Sequence, residues 1–153
     1  MSLLASLLAP ERILLDVAAA SKDGLYEEVG ARLAGMLGVP AKTLTASLQA
    51  REKLGSTGLG QGVAIPHGRI KGLKQACGCF VRTQAPVPFG APDGLPVNLV
   101  FVLLVPEHAT DLHLQILSEL AQCFGDKTFR EQLLGLSDST AVYQLFTDCH
   151  AAN

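Results

Sequence analysis

Val97-Asn98-Leu99-Val100-Phe101-Val102-Leu103-Leu104-Val105 is a near-continuous run of β-branched and aliphatic residues. It is strand length, far short of the roughly 18 apolar residues that mark a membrane-crossing helix. A strand with almost no polar alternation is buried on both faces, and such strands occur in sheets covered by helices. The residues on either side fit that setting. Upstream, Pro86, Pro88, Pro92 and Pro96, with Gly90 and Gly94, spell a turn-rich loop, and Ala76 to Arg82 reads as a partner strand. Downstream, Thr110 or Asp111 is placed to cap a helix reaching Gly125, followed by shorter helices near 126–134 and 138–146.

Towards the amino terminus, Ile13-Leu14-Leu15 is a short extended segment. Ser21 and Asp23 precede a helix with Leu25, Val29 and Leu33 on one face, and Gly38 ends it. Pro40 suits the first turn of a second helix, with Leu44 and Leu48 inward and Gly55 beyond its end. The start, Met1 to Pro10, is apolar but lacks a basic leading segment, and Glu11 and Arg12 follow at once. It reads as a short arm packed on the domain. Helices, then strands, then helices predict an α/β or α+β sandwich in one domain spanning residues 1–153. Its ordered core is expected over about 5–148, with a frayed tail beyond.

With 153 residues, such a chain buries roughly 70% of its unfolded surface. Hydrophobic residues are 48% and charged residues 17%, which argues against disorder. A formal net charge of −2 gives no electrostatic footprint for nucleic acid or an anionic membrane surface. Trp is absent and aromatics are 5%, a poor basis for stacking bases. Cys77, Cys79, Cys123 and Cys149 show neither zinc nor redox spacing, so buried free thiols in a cytoplasmic protein are expected, with no metal. His150 falls in the tail and is expected in solvent.

Chemistry concentrates around His67. It stands between Pro66 and Gly68, after the glycine-rich stretch Gly55-Ser56-Thr57-Gly58-Leu59-Gly60-Gln61-Gly62. Glycines let a ligand approach backbone N–H groups, and successive N–H groups form an anion nest. The alternative is a surface histidine at the end of a glycine-rich hairpin. Arg51 lies within about 20° of Leu44 on an ideal helix, so it is aimed along the apolar stripe. No acidic residue shares that stripe, and an arginine there seeks an anion or snorkels to the helix end. His113 heads a stripe with Leu117, Leu120 and Phe124 at about +40°, −20° and +20°. Alone it reads as a core histidine; paired with His67 it could share one anionic group near a helix start. Other chemistries fail: there is no Gly-x-Ser-x-Gly elbow, no complete dinucleotide fingerprint and no Gly-Lys-Ser/Thr pair, while His108 and His113 miss the helical zinc spacing.

Arg51-Glu52-Lys53-Leu54-Gly55-Ser56-Thr57-Gly58-Leu59-Gly60-Gln61-Gly62-Val63-Ala64-Ile65-Pro66-His67-Gly68-Arg69 resembles the active-site signature of the fructose/mannitol-type IIA proteins of the bacterial phosphotransferase system. Leu112-His113-Leu114 is the second match. The Gly-Ser-Thr-Gly form looks most like the nitrogen-regulatory IIA proteins. The resemblance implies a mixed sheet of about five strands flanked by helices. It implies that His67 accepts a phosphoryl group from an HPr-like phosphocarrier charged from phosphoenolpyruvate, without a cofactor. Arg51 and His113 would line the phosphate site, with Ser56, Thr57 and Gln61 as further candidates. Mannitol relatives tend to carry an acidic residue where Gln61 stands. Implied partners are regulated proteins or a separate IIB protein, and a homo-oligomer is compatible. A third reading is a binding module that keeps the fold without phosphotransfer. In the first two, Nδ1–H held by a local carbonyl would present Nε2 for attack, with Thr57 and nearby backbone N–H groups completing the cradle.

Overall fold

The computed structural model describes residues 3–109 and 112–149. A short helix α1 (Leu3–Leu7) and a 3-10 turn (Pro10–Arg12) lead into β1 (Ile13–Val17). Then come α2 (Lys22–Leu37), α3 (Ala41–Glu52), β2 (Gly58–Gly60), β3 (Val63–Ala64), β4 (His67–Ile70), β5 (Cys77–Val87) and β6 (Val97–Pro106). The helices α4 (Leu112–Gly125), α5 (Lys127–Gly135) and α6 (Ser139–Asp148) close the chain.

The apolar run Val97–Val105 lies in β6, the centre of a mixed sheet ordered β1-β5-β6-β3-β2. β5 pairs antiparallel with one edge of β6; β3 and then β4 pair parallel with the other. The sheet is thus five positions wide but has six strands. β3 and β4 lie end to end in one register, with Ala64 opposite Val100 and His67 opposite Leu103. Their brevity and glycine content hide them from any alternation pattern.

Both faces of β6 are dry. Leu99, Phe101, Leu103 and Val105 join α1, α4, α5 and α6 in one core around Phe80, Phe124, Phe129 and Phe146. Val100, Val102 and Leu104 join α2 and α3 in the other, with Leu25, Val29, Leu33, Leu44 and Leu48. α1 buries Leu4 and Leu7 in the first core, as an apolar arm should. Ser21 caps α2 by accepting from the Gly24 N–H, and Gly38 ends it in the left-handed region (φ 67°). Asp126 and Asp138 cap α5 and α6. The Thr110/Asp111 cap and His150 lie outside the described residues.

β5 runs past Arg82 to Val87. Buried Arg82 is held by Asp16 and by the carbonyls of Leu133 and Leu136, which ties the sheet to the end of α5. Cys77 and Cys79 are buried free thiols, but the expectation of four free thiols is corrected. Cys123, on α4, and Cys149, just after α6, form a disulfide with Cα atoms 6.2 Å apart. Their 26-residue separation carries no pairing signal; α5 and α6 fold back and bring the second cysteine to the first.

Gly78 shows how closely β5 fits against the side chains of neighbouring β6. A Cβ there would lie 2.6 and 2.8 Å from ring atoms of fully buried Phe101. Gly78→Ala is expected to destabilise the fold by about 1–3 kcal/mol through overpacking. A urea titration checks this, with an unchanged midpoint as the contrary result.

Candidate functional site

The site begins with the break between β3 and β4. Pro66 has no N–H, yet its carbonyl accepts the Leu103 N–H at 2.9 Å and keeps the register with β6. Groups of a parallel strand alternate sides, so both backbone groups of Ile65 face away from β6. Its N–H donates to the Thr57 carbonyl at 3.0 Å, where the outer strand has just run out. The Ile65 carbonyl is then an edge acceptor without a backbone partner. The imidazole of His67 fills it, with Nδ1 3.0 Å from that oxygen. Nδ1 is therefore the protonated nitrogen and Nε2 carries the lone pair. Arg51 Nε donates to Nε2 at 3.2 Å, which fixes the same tautomer from the opposite side of the ring.

Arg51 reaches His67 because α3 packs directly on β4. Gly68 permits this approach, since a Cβ there would overlap the Ser47 hydroxyl. That hydroxyl donates to the Arg69 carbonyl at 2.9 Å. Arg51 also donates through Nη1 to the Gly55 carbonyl at 2.9 Å, bracing the exposed turn after α3. His113, half-buried in the first turn of α4, lines the same cleft of about 380 Å³ as Arg51 and His67. Arg69 forms part of the wall and donates to the carbonyls of Glu107 and Ala109, which steadies the approach to α4.

Burial lowers the proton affinity of His67, and the nearby Arg51 guanidinium and His113 lower it further; the bond to Ile65 and distant Glu52 act the other way. The net effect is a ring that stays neutral below the ordinary histidine value of 6.5. A neutral imidazole with a fixed lone pair, an arginine fork beside it and a second imidazole across the cleft suit nucleophilic attack on an anionic group.

The three remaining candidates do not line this cleft. Ser56 donates to the Phe89 carbonyl at 2.8 Å and accepts the Gly58 N–H at 3.0 Å, so it shapes the glycine loop. Thr57 is buried, and both its N–H and its hydroxyl donate to Glu52, which leaves neither for a phosphate cradle. Gln61, at φ 58°, lines a separate depression with Phe124 and Arg130, and its N–H donates to Asp93 at 2.8 Å. Glu52 and Arg69 were missed from sequence. The sequence signal for Glu52 was limited to its place beside Arg51 at the end of a helix, five residues before Thr57; its other partners, Lys22 and Tyr26, lie 30 and 26 residues away. Among the described residues, no cluster of three or more His, Cys, Asp or Glu side chains could hold a metal, and no helix is long and apolar enough to cross a membrane.

Residues 6–149 match the family model for the phosphoenolpyruvate-dependent sugar phosphotransferase system, EIIA 2. A nitrogen regulatory protein of Pseudomonas aeruginosa is 41% identical over 146 residues, covering 95% of each chain. The crystal structure of the nitrogen regulatory protein IIA-Ntr from Neisseria meningitidis superposes with a TM-score of 0.90 at 50% identity, over 95% of this chain and 99% of that one. The crystal structure of IIA mannitol from Escherichia coli gives 0.76 at 26% identity, over 91% and 98%.

His67 is expected to titrate below 6.5 in a histidine NMR titration, and Arg51→Gln is expected to move its midpoint upward by removing the neighbouring cation. The unfolded chain takes up this proton first as pH falls. The ring's contribution to stability is therefore present above about 6.5 and lost as pH drops through the folded value. An unshifted midpoint in both proteins would contradict this electrostatic account.

Proposed function

Because this chain belongs to the phosphoenolpyruvate-dependent sugar phosphotransferase system EIIA 2 family, we propose that it carries a phosphoryl group on His67, received from an HPr-like phosphocarrier, and signals by its phosphorylation state. The observation that supports this most is the double restraint on His67: Nδ1–H on the Ile65 carbonyl and Nε2 facing Arg51. The Nε2 lone pair attacks phosphorus as the phosphorus–nitrogen bond of the donor's phosphohistidine breaks, and that electron pair returns to the donor ring. Nε2 then no longer accepts a hydrogen bond, so Arg51 turns its fork to the phosphoryl oxygens and His113 offers a further donor. No net proton is required of His67, since Nδ1 keeps its hydrogen throughout. Phosphoryl transfer of this kind rests on positioning and charge stabilisation.

The regulatory reading draws support from identities of 41% and 50% to nitrogen regulatory proteins, against 26% to the mannitol protein. Onward transfer to a IIB protein would mark the sugar-transport reading instead.

Incubation with phosphoenolpyruvate, enzyme I and an HPr-like carrier, followed by intact mass, is the direct test. Wild type is expected to gain one phosphoryl group, labile in acid and stable in base, and His67→Ala none with its fold intact. Wild-type labelling of His67→Ala would overturn the assignment. Arg51→Lys is expected to label slowly at near wild-type melting temperature, because an ammonium cannot reproduce the fork.

His113→Ala should still accept phosphate but transfer or hold it about 10- to 150-fold less well, from loss of one charge-assisted bond of about 1.5–3 kcal/mol. A phosphoryl-exchange time course reads this, and wild-type kinetics in both directions would remove His113 from the site.

A further inference from the structure

Behind the cleft lies a carboxylate that neither nitrogen of His67 touches, yet both depend on. The Glu52 side chain is 6% exposed, and both its oxygens are fully engaged. Oε1 accepts the Tyr26 hydroxyl and the Thr57 hydroxyl, each at 2.7 Å. Oε2 accepts the Thr57 N–H at 2.9 Å and the Lys22 ammonium at 3.1 Å. Burial alone would raise the Glu52 carboxyl, but these bonds outweigh it and hold the group ionised.

Two chains of contact run from this carboxylate to the imidazole. Along the first, Glu52 holds Thr57, the Thr57 carbonyl holds the Ile65 N–H, and the Ile65 carbonyl holds His67 Nδ1–H. Along the second, Lys22 and Tyr26 of α2 clamp Glu52 and so the last turn of α3. Arg51, the preceding residue, reaches His67 Nε2 from that turn. A carboxylate this costly to bury is otherwise unneeded, since the apolar packing of Leu44 and Leu48 already joins α3 to its neighbours.

We propose that Glu52 is a positioning residue that sets the tautomer of His67, with Tyr26 and Thr57 as the partners that hold it. The inference deepens the reading of His67 as phosphoryl acceptor, but the tautomer exists without any phosphate, so it can be measured apart from transfer. A histidine side chain free in water favours the Nε2–H form, whose attacking position is blocked by its own proton. Loosening Glu52 frees both restraints together and lets the ring relax towards that form.

The test uses the unphosphorylated full chain with 15N-labelled histidine at neutral pH. Ring-nitrogen shifts report the tautomer, and thermal melting is followed alongside. Wild type is expected in the Nδ1–H form. Glu52→Gln keeps the size of the side chain but loses its charge and one acceptor oxygen; it is expected to show a mixture shifted towards Nε2–H. Tyr26→Phe keeps the ring packing, removes only one donor, and is expected to show a smaller shift with near wild-type melting. Labelling from the HPr-like carrier should slow with the tautomer, by about 10- to 100-fold in Glu52→Gln. If Glu52→Gln does not fold, Tyr26→Phe decides. A folded variant whose His67 stays wholly Nδ1–H overturns the proposal, whatever its labelling rate. Failure of wild type to label would instead overturn the phosphocarrier reading and leave the tautomer result standing.

Discussion

The constraint on which the site depends is the break between β3 and β4 along β6. β5 takes one edge of this strand over most of its length. The other edge is shared by two short strands in a single register, broken only at Ile65-Pro66. A proline there removes a donor without costing the ladder, because its carbonyl still bonds β6. The break leaves one sheet-edge carbonyl unpaired at Ile65. Buried backbone acceptors seek a partner, and the nearest donor is the ring of the residue two positions on. An ordinary demand of sheet chemistry thereby fixes the proton on a histidine.

Charge is arranged in two layers around that ring. Burial keeps the imidazole neutral, and the inner layer, Arg51 and His113 at the cleft, reinforces this and makes the space in front of it favourable for an anion. The outer layer is the Glu52 carboxylate, saturated by Lys22, Tyr26 and Thr57 and withdrawn from solvent. Separation matters here. A carboxylate inside the cleft would repel a phosphate and neutralise the arginine, whereas on the next residue, turned away from the cleft, it anchors the backbone that carries the arginine. The same carboxylate occupies the Thr57 N–H and hydroxyl, so Thr57 has neither donor left for the cleft.

Rigid surroundings make this arrangement durable. β6 is covered on both faces, and α3 approaches β4 as closely as Gly68 allows. The far core, with Phe80, Phe101, Phe124 and Phe129 each in ring contact with Phe146, seats α4, and α4 carries His113. The Cys123–Cys149 bridge ties α4 to the end of α6 on that same side.

Local residue patterning specifies the longer helices, β6 and the polarity of their faces, but not the short strands β3 and β4. The run from Val97 to Val105 required burial on two sides, and the spacing of Leu25, Val29 and Leu33 required a helix on one of them. The placing of Arg51 and His113 on apolar stripes was legible because a helix has a fixed angular period. The histidine between Pro66 and Gly68 was legible for a different local reason, the backbone constraints of its two neighbours and the glycine-rich stretch before it. Tertiary structure decided which of these groups meet. Ser56, Thr57 and Gln61 share a segment with His67, but their donors and acceptors are claimed by Phe89, Glu52 and Asp93, of which only Glu52 is near in sequence. Cys123 and Cys149 pair because two helices turn back, which no spacing rule encodes. Hydrogen bonds and disulfides are satisfied by whatever lies within about 3 Å in space, and proximity in space is set by the whole fold.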